Sequence, residues 1–293
     1  MRSPHLSRRS FVKSAAVGVA AASVVSSARA AEALYTVQHG RVRQSVVPWC
    51  FNPMKPAEVV ELAARLKLPS VELISPELWP LLKAKGMTCA LASSHGFAKG
   101  FAHVEEHEEC LATLRKNIAL AADAGVPAII TFSGFRRGLT TAEGTKNMVE
   151  GLKKIAAFAE DKKVTVCLEM LNSRVNVSMK GHPDYFCDDI DQSVDICKQV
   201  SSERVKVLFD IYHVQIMHGD VMTRLKQHAK WIGHYHTAGV PGRNEIDDTQ
   251  EIQYAPILKA IVATGYQGFV GQEFIPLRDK AASLAEAVKI CDV

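Results

Sequence analysis

Four polar residues close four consecutive apolar runs in the second half of the chain. Glu169 ends Cys167-Leu168-Glu169 and Asp210 ends Leu208-Phe209-Asp210. His236 lies in Gly233-His234-Tyr235-His236-Thr237, and Glu273 ends Gly271-Gln272-Glu273. Three carboxylates and an imidazole make the donor set of a divalent-metal site. A single acid at a strand end commonly serves as a helix cap or an ion-pair partner. Four such groups in consecutive runs are harder to assign that way, because buried carboxylates facing one cavity need a cation between them. The oxygen-rich set favours Mn²⁺ or Mg²⁺, with Zn²⁺ or Co²⁺ as alternatives. His234 and His236 flank Tyr235 and therefore point the same way. His236 lies nearer the end of its run and is the preferred ligand; His234 reads as an interior residue one layer down.

The elements that must position these groups follow a rhythm that begins after residue 40. Short apolar, β-branched runs (Ser45–Trp49, Ser70–Leu73, Thr88–Ala92, Ala128–Phe132, Val164–Glu169, Val205–Asp210, Ile232–Thr237 and Gly268–Glu273) alternate with segments of helical period. The helical segments are Pro56–Leu66, Trp79–Lys85, Glu106–Ala124, Ala142–Lys162, Asp189–Gln199, Val221–Ala229, Ala255–Thr264 and Leu284–Cys291. Continuous apolar strands suit a parallel sheet covered on both faces. Eight βα units in about 250 residues predict a single-domain α/β fold, the (β/α)8 TIM barrel, whose chemistry gathers at the C-terminal ends of the strands. A doubly wound open sheet is the competitor, but no GxGxxG follows the first run, so its dinucleotide-binding form lacks its fingerprint.

With the quartet on these strands, the chain resembles the sugar phosphate isomerase/epimerase superfamily, the xylose isomerase-like TIM barrels, over about residues 41–291. Phe209-Asp210-Ile211-Tyr212-His213-Val214-Gln215 is similar to the hydroxypyruvate isomerase family more narrowly. So are Thr237-Ala238-Gly239-Val240-Pro241-Gly242-Arg243-Asn244-Glu245, Gly265–Glu273 and the tyrosine of Glu251-Ile252-Gln253-Tyr254. The resemblance implies that Glu169, Asp210, His236 and Glu273 hold the metal, and that Glu169 and Glu273 are also the catalytic acid–base pair of an enediolate reaction. The reaction implied first is hydroxypyruvate to tartronate semialdehyde. That family often carries glutamine where His236 stands here, and the histidine is more like the keto-sugar epimerases, so a keto-sugar substrate stays open. His213, three residues beyond Asp210, is placed to bond a substrate oxygen, and Arg243 to pair with a substrate carboxylate through its planar fork. Trp49, Phe51 and His95 are candidates to wall the pocket, Glu72 reads as support for its neighbours, and the polar stretch Gly96–Glu109 reads as a lid.

The first 30 residues read as an address. Ser7-Arg8-Arg9-Ser10-Phe11-Val12-Lys13 precedes an apolar stretch and Ala28-Arg29-Ala30. This order of basic, apolar and small residues is that of a secretory signal, and the Arg pair resembles the twin-arginine export signal of bacteria. The expected division is a signal peptide over 1–30 and the barrel domain over 31–293, with the twin-arginine export machinery as a partner and a periplasmic or secreted location. Without the five basic residues of that segment, thirty Lys and Arg face thirty-one Asp and Glu. A near-neutral body gives no electrostatic reason to expect nucleic acid, and the run Ala15–Val25 is short for a membrane span. The expected partner is a small keto acid or sugar, with self-association into a homo-oligomer left open. Seven cysteines, an odd number with no CxxC pair, read mostly as small core residues. Two rivals remain. A zinc-dependent endonuclease on the same barrel would need an Asp-x-His after the seventh strand, where Arg243-Asn244-Glu245 stands. A non-catalytic sugar- or metal-binding protein would need no turnover.

Overall fold

Val, Ile and Leu at successive positions fit strands buried on both faces, and the computed structural model, which describes residues 34–293, pairs all of them in parallel. The strands are β1 (Arg43–Val46), β2 (Ser70–Val71), β3 (Thr88–Cys89), β4 (Ala128–Thr131), β5 (Thr165–Glu169), β6 (Val205–Asp210), β7 (Ile232–Thr237) and β8 (Phe269–Gln272). Six form one sheet in the order β1-β8-β7-β6-β5-β4, and β2 pairs with β3. The gaps are bridged by backbone bonds just beyond β2 and β3. Glu72 N donates to Val46 O at 3.0 Å, Ala92 N donates to Ala128 O at 2.8 Å, and Ile130 N donates to Ala92 O at 3.0 Å. The sheet thus curls closed into the expected barrel. The segment read as a signal peptide lies outside the described residues.

The helices on the outside are α1 (Pro56–Arg65), α2 (Trp79–Ala84), α3 (His107–Ala124), α4 (Thr141–Lys162), α5 (Ile190–Val200), α6 (Ile211–Met217), α7 (Val221–Gln227), α8 (Tyr254–Ala263) and α9 (Lys280–Cys291). Their starts are written in the sequence. Thr140 and Glu143 form a reciprocal capping box on α4, and Asp189 caps α5 through Asp191 N and Gln192 N. Gly125, at φ 73°, ends α3 in the left-handed conformation that glycine adopts without penalty. Helix α6 was not expected. It starts immediately after β6 because Asp210 is its own N-cap, accepting from Tyr212 N at 2.8 Å.

Two apolar layers hold the barrel. One lies between sheet and helices; the other, inside the barrel, packs Leu91, Ala128, Ile130, Cys167 and Leu208. Strand alternation sorts the side chains between them. Tyr235 on β7 faces outward against Phe209 and Tyr266, with ring centroids 5.7 and 4.9 Å apart, and the flanking His234 and His236 are left to the interior. The first strand is shorter than the run Ser45–Trp49, because Pro48 turns the chain into a short 3-10 helix, Pro48–Phe51. The barrel ends are tied by Asp292, whose carboxylate accepts from Tyr35 Oη and from the backbone N–H groups of Gln38, His39 and Gly40. All seven cysteines are buried and none is paired. Among the described residues, no helix is long and apolar enough to cross a membrane.

Candidate metal and active site

Inward positions at the C-terminal ends of β5, β6, β7 and β8 bring the quartet together. Asp210 is in register with His236, and His236 with Gly271, two residues before Glu273. Glu169, Asp210, His236 and Glu273 are all buried, and one ligand atom from each lies within 4.8 Å of the others. His236 Nδ1 is 2.7 Å from Glu273 Oε2 and 3.6 Å from Glu169 Oε1.

The charges here do not balance. Burial, reinforced by the neighbouring carboxylates, pushes Glu169 up to about 7. Burial also pushes Asp210 up to about 6 against the pull of Arg243. Burial acts on Glu273 too, but Arg243 and His236 outweigh it and hold that carboxyl down to about 2. For His236, the surrounding carboxylates overcome burial and raise the imidazole well above its ordinary value. Glu169 Oε1 and His236 Nδ1 have no hydrogen-bond partner, although both are buried. Buried polar atoms without partners, in an oxygen-rich set with one imidazole, are what a divalent cation satisfies by taking the place of the ring proton, so the residues present fit such an ion.

Arg243 reaches this cluster from the loop after β7. Its Nη2 is 2.6 Å from Glu273 Oε2 and 3.5 Å from Asp210 Oδ2, and its Nη1 donates to Met179 O at 2.6 Å. The guanidinium lies 5.3 Å from the Trp49 ring and 5.6 Å from that of Tyr212, while its Nε is buried without a partner. Glu245 anchors the same loop by accepting from Leu277 N, Arg278 N and Ser283 Oγ.

His213 stands in the first turn of α6. Its Nδ1 accepts from the backbone N–H of Asn172 at 2.9 Å, so the ring proton sits on Nε2. That Nε2 is buried, has no hydrogen-bond partner and lies 3.5 Å from Asp210 Oδ2. Burial, with Arg243 nearby, holds the imidazole well below its ordinary value. The ring is therefore a neutral N–H donor facing the quartet.

The remaining expected residues divide. Trp49, half-buried, joins the site through Arg243. Phe51 does not; it is core, packed edge-on against Phe274 at 5.6 Å. His95 is set against Phe101 and Phe132 with its Nε2 2.9 Å from Thr131 Oγ1, and no hydrogen bond links it to the quartet. The stretch read as a lid is pinned at its centre. Phe101 and Ala102 are buried, Gly100 N donates to Glu106 Oε2 at 2.8 Å, and Ala102 N donates to Ser133 O at 2.9 Å. Sequence reading missed Asn172 and Met179, whose roles depend on loop contacts that no local pattern encodes.

A family model described as Xylose isomerase-like TIM barrel matches residues 55–291. The 2-oxo-tetronate isomerase of Cupriavidus necator is 38% identical over 136 residues, which are 46% of this chain and 50% of that protein. The hydroxypyruvate isomerase of Escherichia coli is 28% identical over 147 residues, 50% of this chain and 54% of that protein. The match spans about half the length of these curated relatives. Among solved structures, an AP endonuclease, family 2, from Brucella melitensis superposes with a TM-score of 0.74 at 24% identity, covering 84% of this chain and 98% of that one. At that identity the superposition speaks for the fold alone.

Proposed function

The chain belongs to the xylose isomerase-like TIM barrel family, and we propose that it is a metal-dependent isomerase of short 2-keto or hydroxy-aldehyde substrates, working through an enediolate. Hydroxypyruvate to tartronate semialdehyde is the reaction it fits best. The observation that carries this reading is the buried convergence of Glu169, Asp210, His236 and Glu273. These four residues would hold a divalent cation, Mn²⁺ or Mg²⁺ before Zn²⁺ or Co²⁺. When bound, such an ion polarises a carbonyl and lowers the cost of negative charge on the adjacent oxygens.

The chain's own residues supply the rest. Glu169 and Glu273 come from the two ends of the β5–β8 arc, so a substrate seated at the quartet has a carboxylate on either flank. One takes a proton from C3 of hydroxypyruvate, which leaves an enediolate across C2 and C3. Return of a proton to C2, with the hydroxyl proton passing from O3 to O2, gives the 2-hydroxy-3-oxo acid. His213 donates from Nε2 to a substrate oxygen. Arg243, whose Nε is unpartnered, pairs with the substrate carboxylate. Trp49 and Tyr212 set their rings 5.3 and 5.6 Å from the guanidinium.

The names of the curated relatives support an isomerase, and 2-oxo-tetronate is the second acid to try. A keto-sugar epimerase on the same site is favoured by one observation, the histidine at 236. The test is turnover by purified, Mn²⁺-loaded protein against hydroxypyruvate, 2-oxo-tetronate and a panel of keto-sugars, followed by proton NMR. Isomerised keto acid is expected; no turnover of any substrate would overturn the reading and leave a binding protein. We also propose export by the twin-arginine route. Joint replacement Arg8→Lys and Arg9→Lys should keep the protein in the cytoplasmic fraction, and unchanged export would reject that assignment.

A further inference from the structure

Glu72 follows β2 and is fully buried inside the barrel. Its Oε1 lies 2.7 Å from His236 Nε2 and 3.1 Å from His234 Nε2, and it is a hydrogen-bond partner of both. A carboxylate oxygen only accepts, so both imidazoles carry a proton on Nε2. For His236 this decides which face it shows the quartet. With Nε2 committed to Glu72, the nitrogen turned toward Glu273 and Glu169 is Nδ1, which has no hydrogen-bond partner. The carboxylate is itself held from two sides. Glu72 N donates to Val46 O, fixing the backbone, and His234 grips Oε1 from the layer below. The space it occupies exists because residue 271 is glycine. A Cβ there would fall well inside contact distance of Glu72 Oε1, with Glu72 Cδ at 2.8 Å and His236 Cδ2 at 2.9 Å.

We propose that Glu72 is a positioning residue for the cation site. It fixes His236 in the Nε2–H form, aims the Nδ1 lone pair at the point shared by Glu169, Asp210 and Glu273, and is anchored for that task by His234. The inference rests on the cation-dependent reading above. Carboxylates that hold a metal-ligating histidine from behind are worth about 10–100-fold in metal affinity. Glu72→Gln keeps the shape and one acceptor oxygen; Glu72→Ala keeps neither.

The experiment measures Mn²⁺ binding to the full chain by calorimetry for wild type, Glu72→Gln and Glu72→Ala, with circular dichroism to confirm folding. It adds ¹⁵N NMR of the Zn²⁺-loaded wild type to locate the His236 proton. The expected order of affinity is wild type, then Gln, then Ala, with Ala weaker than wild type by about 10–100-fold. The Zn²⁺-loaded wild type should show His236 protonated at Nε2 and metal-bound at Nδ1. Metal on Nε2 would overturn the proposal even if Glu72→Ala fails to fold. So would equal affinity in all three proteins, which would leave the isomerase reading standing. A wild type that binds neither Mn²⁺ nor Zn²⁺ would remove both.

Discussion

The packing at Gly271 makes a quantitative prediction. In Gly271→Ala the new methyl group would overlap Glu72 Oε1, and neither partner has room to yield, since Glu72 and His236 are both fully buried. Relief requires the carboxylate to leave its place between His234 and His236. Losing two charge-assisted hydrogen bonds costs about 1.5–3 kcal/mol each, and overpacking a tight interior adds about 1–3 kcal/mol. The lower ends of these ranges come to about 4 kcal/mol, or a fall in melting temperature of about 8–16 °C for a domain of this size. Gly86→Ala is the control. Gly86 has φ 69° and nothing within 4 Å of the position a Cβ would take, so only the left-handed backbone penalty applies there. That penalty is about 1–2 kcal/mol. Differential scanning calorimetry of both variants in the presence of a chelator makes the comparison free of metal. If the two melt together, the interior around Glu72 is loose, and the argument that it grips both imidazoles is wrong.

The clasp at Asp292 predicts a pH dependence. Burial raises this carboxyl, but donors from Gln38, His39, Gly40 and Tyr35 outweigh it and hold it below its ordinary value. A depressed native value means that the stabilisation is fully present above the unfolded value of about 3.9 and is lost as pH falls through the lower native one. Asp292→Asn should thus be less stable than wild type by about 2 kcal/mol at neutral pH, and the gap should close in acid; a gap unchanged down to pH ~2 would refute the clasp. At the site, His213→Ala removes one N–H donor and should lower kcat by about 10²-fold, with Mn²⁺ affinity retained. A matching loss of Mn²⁺ binding would make His213 a support of the cation site instead.

Much of this was legible because a barrel converts strand ends into one place. Glu169, Asp210, His236 and Glu273 are far apart in the chain, yet each lies at the end of an apolar run, and parallel register brings them together, with an irregularity between Val207 and Leu208 that shifts β7 by one residue and sets His236 opposite Asp210. Arg243 lies beside the quartet, 2.6 Å from Glu273 Oε2, with the Trp49 ring 5.3 Å from its guanidinium. What could not be read depends on contacts without a local pattern. Glu72 meets its two histidines across more than 160 residues of chain, and the short strand before it shows nothing of those two hydrogen bonds. Helix α6 was hidden because Asp210 serves both as strand end and as helix cap, a double use that periodicity does not register. The polar stretch after residue 96 resembled a lid by composition, but the close approach of Gly100 to the backbone of Ser133 and Gly134 fixes it in place.

The proposed transfer of a carbon-bound proton between a substrate held at the quartet and Glu273 and Glu169 leaves an isotopic trace. Its most direct test is deuterium uptake at C3 of hydroxypyruvate in D₂O, measured by NMR for Mn²⁺-loaded wild type and for Glu273→Gln. Enzyme-dependent exchange is expected in wild type, with a loss of at least ~100-fold in the variant, the usual worth of general acid–base catalysis, not restored by excess Mn²⁺. Near-native exchange by Glu273→Gln once Mn²⁺ is raised would contradict it and leave Glu273 as a ligand alone.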